Sequence, residues 1–184
     1  FSVISINFLG VAGVSLWSVI LALTLTGIFG LIVGYFLFYG GIYDVFVGIV
    51  TLAMTLVLET FMQQTAGPEY TIGNARLNGF NGMQGMPIIG FEKIPFGLVE
   101  GVTQYYFILI LSILILISLY KFKSSKMGLI FLASKEDRER VSSLGHNVQK
   151  IQLIGFTIAS VLAGISGILY TNWGSYITPD SMGL

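Results

Sequence analysis

Few residues in this sequence are of a type that does chemistry, and they do not form a catalytic set. Cysteine is absent, which removes disulfide frameworks, thiolate metal sites and a cysteine nucleophile. The single histidine, His146, comes after a helix-ending glycine in a polar loop, a poor setting for a metal or catalytic role. No Ser/His/Asp, paired-carboxylate or metal-ligand constellation stands out. Glu59 is different, because it interrupts an apolar run. An acid inside a membrane marks a functional position by default, although a side chain near the end of a span can also reach the headgroups. The run Gly79-Phe80-Asn81-Gly82-Met83-Gln84-Gly85-Met86-Pro87 lacks the Gly-Lys-Ser/Thr of a phosphate-binding loop. It reads either as a solvated loop or as one that dips towards a binding site.

The stretch richest in signals is polar. Ser134-Lys135-Glu136-Asp137 has capping-box form, a hydroxyl followed three residues later by an acid. Glu136 and Arg140 stand four apart in the favourable order. Val141, Leu144, Val148 and Ile151 recur at three- and four-residue steps and form one apolar stripe. Gly145 is placed to end the helix, and Asn147 to cap the next element. The expected element is a short amphipathic helix, Ser134 to Leu144, with Val141, Leu144 and Val148 offered to a partner groove. The alternative is a helix lying in the headgroups or packed on its own bundle.

The elements that must carry these residues are membrane spans. Only 10% of the 184 residues are charged, against about 25% in soluble domains, and mean hydropathy is +0.85. Net charge is zero, which gives no footprint for nucleic acid. Runs over roughly 16–38, 45–62, 102–120 and 151–170 approach the ~20 apolar residues a span needs. In lipid each must be helical, because the backbone has to satisfy itself. The expected fold is therefore an all-α polytopic transmembrane helix bundle of about four spans with a short cytoplasmic helix, all in one partial transmembrane domain. Residues 1–15 are apolar but broken by glycine, and read as an interfacial piece or the end of a truncated element.

Orientation comes from the basic residues. Seven of the nine Lys/Arg (Lys121, Lys123, Lys126, Lys135, Arg138, Arg140 and Lys150) fall within 121–150, so that loop is expected in the cytoplasm. The loop over 63–101 is expected outside. In the fourth span Gly155, Ala159, Ala163 and Gly167 are four apart, and Ser160 and Gly164 make a second pair, a spacing that lets helices approach closely. The chain begins at Phe1 with no basic region before its first apolar stretch, so no signal peptide is expected. It reads as cut from a longer protein.

Four ordered stretches carry a family resemblance. Ile49-Val50-Thr51-Leu52-Ala53, followed by Glu59, resembles the "AIVTLAF" span of the permease subunits of bacterial ABC importers of the branched-chain amino acid class, whose urea-transporting relatives share the family. Asn81-Gly82-Met83-Gln84-Gly85-Met86-Pro87 resembles its "NGLTGIP" outer loop. Lys135 to Val148 resembles "IRENE…ALGINV". Ala163 to Tyr170, then Tyr176 to Gly183, resemble "AGLAGALY…YISPDSFG".

The resemblance implies further spans on either side of this chain and a function in transport, not catalysis. It implies no cofactor here, with ATP bound and hydrolysed on separate cytoplasmic ATPase subunits. The other implied partners are a second permease subunit, a periplasmic or extracellular substrate-binding protein and the lipid bilayer of the bacterial inner membrane. Glu139 and Gly145 have the spacing of the acid and glycine that mark the family's ATPase-coupling helix, and with Val141 and Leu144 they form the expected coupling site. Arg140 and Val141 stand where two alanines are usual, and the turn from Tyr39 to Ile42 lacks the family's common arginines. Thr51, Glu59, Asn81 and Gly82 are the candidates for the translocation path or outer gate. The implied substrates are branched-chain or other hydrophobic amino acids, with urea or a short amide as the alternative. The segment from Tyr176 to Ser181 is closer to the amino acid branch. The residues Glu139-Arg140-Val141 and Leu144-Gly145-His146 are closer to the urea branch. A secondary transporter or channel is the alternative of another class, and such proteins usually carry charges within their spans, where only Glu59 qualifies.

Overall fold

The computed structural model describes residues 4, 14–65, 67, 69–84, 101–174 and 176–178. The expectations placed on residues 1–3 and 5–13, on Gly85-Met86-Pro87 and on Pro179 to Gly183 fall outside them. Four long helices dominate: α1 (Val14–Tyr39), α2 (Val45–Gln63), α3 (Gly101–Lys123) and α6 (Val148–Gly174). Two short ones, α4 (Lys126–Glu136) and α5 (Arg138–Ser143), lie between α3 and α6. The shortest long helix, α2, has 19 residues and so extends about 28 Å at 1.5 Å per residue, close to the ~30 Å of a bilayer's hydrocarbon. All four long helices are apolar and long enough to cross a membrane.

Burial is inverted relative to a soluble domain. Leucine, isoleucine and phenylalanine side chains point outwards along α1, α2 and α3, and Tyr170 and Trp173 along α6, while Ser18, Gln104, Gln152, Thr171 and Asn172 are buried. Water would reverse that arrangement. Hydroxyls within the helices bond back to their own backbone: Thr26 donates to the Ala22 carbonyl at 2.8 Å, Thr157 to Leu153 at 2.8 Å and Ser160 to Phe156 at 3.0 Å. This is how a hydroxyl is tolerated where no water competes. The chain is an all-α, multi-pass membrane protein.

The principal contact is between α1 and α6, and small residues make it possible. A Cβ added at Gly30 would strike the side chain of Ser160, one at Gly34 would lie 2.9 Å from Leu153 and Phe156, and one at Gly164 would lie 3.0 Å from Thr26. Of the two small-residue rows in α6, the Ser160–Gly164 row faces α1. Ala159, Ala163 and Gly167 are exposed, and Gly155 lies under the ring of Phe131 from α4. Further along the contact, Ala22 and Ile168 are buried together with Phe107 of α3 against them. Towards the other end, α3 and α6 leave an open apolar cleft of about 400 Å³ between Leu114, Leu119, Ile158 and Leu162.

Away from the basic end, the segment after α2 is more ordered than a solvated loop. Thr71–Ile72 (β1) and Ala75–Arg76 (β2) pair as a hairpin across Gly73-Asn74, and Gly79–Asn81 forms a single 3₁₀ turn against α2. Met83–Gln84 (β3) then pairs antiparallel with Tyr176–Ile177 (β4), which comes after α6. Ala75 and Met83 are buried there among Leu77 and Ile177.

Candidate functional site

Two regions hold the residues singled out by sequence. The first is the basic end. The expected helix from Ser134 to Leu144 is corrected to two helices with a break at Asp137. Ser125 caps α4, accepting from the Gly128 amide at 3.1 Å. Ser134 therefore lies inside α4, buried, with its hydroxyl donating to the Phe131 carbonyl at 2.8 Å. The cap of α5 is Asp137, which leaves the helical region at φ −154° and accepts from the Arg140 amide at 2.9 Å. A capping box assigns the cap to the hydroxyl and a reciprocal contact to the acid; here the acid itself caps. Arg140 pairs with Asp137 at 3.3 Å, not with Glu136 as its spacing suggested.

The end of α5 agrees with the sequence reading. Gly145 has φ +84°. Its amide donates to the Ser142 carbonyl at 2.9 Å, and the His146 amide to Val141 at 3.4 Å, the two bonds of a Schellman closure. Asn147 then caps α6, accepting from the Lys150 amide at 2.9 Å. The apolar stripe does not survive as one surface. Val141 is only 5% exposed, buried within its own chain, so its expected place on a partner-facing ridge is corrected. Leu144 is 73% exposed. Glu139 is exposed in the first turn of α5, where a negative charge suits the helix dipole. Beside them lies an open groove of about 890 Å³, lined by Tyr43, Glu139, Ser142, Gly145, His146 and Val148 among others.

The second region is α2 and the turn at its far end. Thr51 and Glu59 are half-buried. Two residues not singled out by sequence, Thr55 and Gln63, continue their row at steps of four. Each such step advances only about 40° around a helix, so Thr51, Thr55, Glu59 and Gln63 share one face. Phe46, Val50, Val57 and Phe61 occupy the other and are exposed. The threonine hydroxyls bond back to Val47 at 2.9 Å and Thr51 at 3.0 Å, and Gln63 Nε2 donates to Glu59 Oε1 at 3.2 Å. Asn81 lies in the 3₁₀ turn that touches α2 and is exposed. Gly82 is buried at φ +70°, where a Cβ would run into the Ile177 carbonyl, so only glycine permits the β3–β4 pairing there. The structure thus brings Asn81 near the C-terminal end of α2 and ties Gly82 to the segment after α6.

A profile of one protein family, described as the branched-chain amino acid transport system permease component, matches residues 2–184. The chain belongs to that family. No curated protein and no solved structure matches it. A permease has no need of a nucleophile or general base; it needs a polar face that a solute can follow and a surface through which movement is driven. Among the described residues of this permease, the polar face on α2 and the exposed end of α5 are where residues expected from sequence lie together. A third group escaped the sequence reading. Arg138 reaches Asp44 at 3.1 Å and lies over the ring of Tyr43, across 94 positions of chain.

Proposed function

We propose that this permease is the membrane-spanning subunit of an ATP-driven importer in the bacterial plasma membrane, passing branched-chain or other hydrophobic amino acids received from a soluble binding protein. The basic end, 121–150, faces the cytoplasm, as its seven Lys and Arg require. ATP is hydrolysed on separate subunits that seat on α5, with Leu144 and Glu139 as contacts and Gly145 fixing the helix end. A second permease subunit completes the path, and the Thr51–Glu59 face of α2 lines it, with Asn81 and Gly82 at the outer mouth. Nucleotide-driven closure of the ATPase pair shifts the population between inward- and outward-facing states.

The observation that carries this reading is Leu144, an aliphatic side chain left 73% exposed at the end of a closed, capped helix between two spans. Burying such a side chain is worth about 1.5–3 kcal/mol, and a groove on a partner supplies that burial. The test is Leu144→Asp in the full-length permease. Co-purification of the ATPase subunit should fall, while capture of substrate by the binding protein is unchanged. Normal co-purification with Leu144→Asp, in a permease that still inserts and folds, would remove α5 as the docking element and leave a helix lying in the headgroups.

A further inference from the structure

We propose that Arg138 is a positioning residue for this transport cycle: it clamps the α1–α2 turn to α5, so that a push on α5 is carried to α2. The inference rests on the permease reading above. Arg138 is the first residue of α5, and its guanidinium joins three elements. Nη2 donates to Asp44 Oδ1 of the α1–α2 turn at 3.1 Å. The plane sits over the Tyr43 ring, Cζ 4.1 Å from its centroid. In α6, Gln152 is 9% exposed; with its amide turned as the hydrogen bonding requires, its oxygen accepts from Nε and Nη2 at 3.1 Å each. A planar fork of donors makes these contacts together, which an ammonium cannot.

Two independent features show that the arrangement is built. Asp44 precedes α2, where an aspartate ordinarily accepts from its own helix amides. It makes no such bond and sits at φ 55°, ψ −126°, a conformation that L-residues rarely adopt and that persists only where surroundings hold it. Its carboxylate is committed to Arg138 instead. In addition, α2 has no buried residue, and the clearest contact it makes with another element is with the 3₁₀ turn at its far end. Among the described residues, the Arg138 contacts tie the turn that leads into α2 to α5 and α6 at the basic end. The Asp44 side chain is 80% exposed, and exposed ion pairs add little stability. The arrangement serves geometry: α2, which carries the Thr51–Glu59 face, is steered by α5 through one side chain and not through a packed core.

The test uses full-length permease in lipid nanodiscs with spin labels on cysteines at Ser143 and Phe46, and the same variants reconstituted with ATPase and binding protein. In the wild type the label distance should form one narrow distribution. Arg138→Gln and Asp44→Asn should broaden it, with Arg138→Lys intermediate, and substrate moved per ATP hydrolysed should fall ~10-fold, within the usual range of coupling energies. A distribution that stays narrow in Arg138→Gln overturns the clamp. Broadening with unchanged transport per ATP overturns its part in coupling. A wild-type complex without ATP-driven transport strikes the ATP-driven importer reading and the coupling role with it, while the distance measurement still decides whether the clamp exists.

Discussion

Gly145 isolates one physical effect. It sits at φ +84°, and a Cβ built there meets nothing within 4 Å, so the cost of adding a Cβ is backbone strain alone. Left-handed backbone costs an L-residue about 1–2 kcal/mol, with β-branched residues at the upper end. That is a factor of roughly 5–30 in a local equilibrium. The six residues of α5 are too few to hold a helix unaided. The two closing bonds at 2.9 and 3.4 Å are its C-terminal anchor. Amide exchange of peptides covering 138–146, measured on the permease in nanodiscs, should therefore quicken about 5–30-fold in Gly145→Val and less in Gly145→Ala. Gly145→Asn should stay close to wild type, since asparagine tolerates the left-handed region. Equal exchange in the wild type and Gly145→Val, or equal damage from Asn and Val, would refute the account of this helix end.

Gly30→Leu should lower the unfolding midpoint in detergent, at an overpacking cost of about 1–3 kcal/mol. Ser160→Gly in the same chain should recover part of the loss, and no recovery would mean that the α1–α6 contact lies elsewhere. Glu59→Gln removes a charged partner worth about 1.5–3 kcal/mol, so half-saturation for transport should rise ~10–150-fold. Thr60→Val, about 100° round the helix from Glu59 and off the Thr51–Gln63 row, should leave it unchanged; equal effects would argue against a polar path on α2. Cysteines at Ser142 and Phe80 should label from opposite sides of the membrane with an impermeant reagent, and labelling of both from one side would contradict the alternation of spans.

What is legible in sequence depends on scale. The four long helices are visible because length and apolarity in lipid leave no other backbone solution, and the Ser160–Gly164 pair because close approach needs small residues. Gly145 and Asn147 are readable because each acts within three or four residues. The helix α4 is not: Met127 to Ala133 is too short for a span and sits among lysines, with only Ser125 marking its start. Ser134 misleads because its template fits two registers, and the structure uses the one in which Asp137 caps. The split of Val141 from Leu144 depends on what the chain folds against, which periodicity does not record. The β3–β4 pairing joins strands of two residues each, too short for a period. The Arg138–Asp44 pair joins residues 94 apart, and each of them alone reads as an ordinary boundary charge.

The central claim, that this permease is driven by ATP on a separate subunit, is tested most directly by uptake of radiolabelled leucine into proteoliposomes. These would contain the full-length permease with its ATPase, with binding protein added outside and urea uptake measured in parallel. The account predicts leucine accumulation that needs enclosed ATP and the binding protein, persists when proton and sodium gradients are collapsed, and is lost with Leu144→Asp. Accumulation driven by an ion gradient in liposomes containing the permease alone would contradict it.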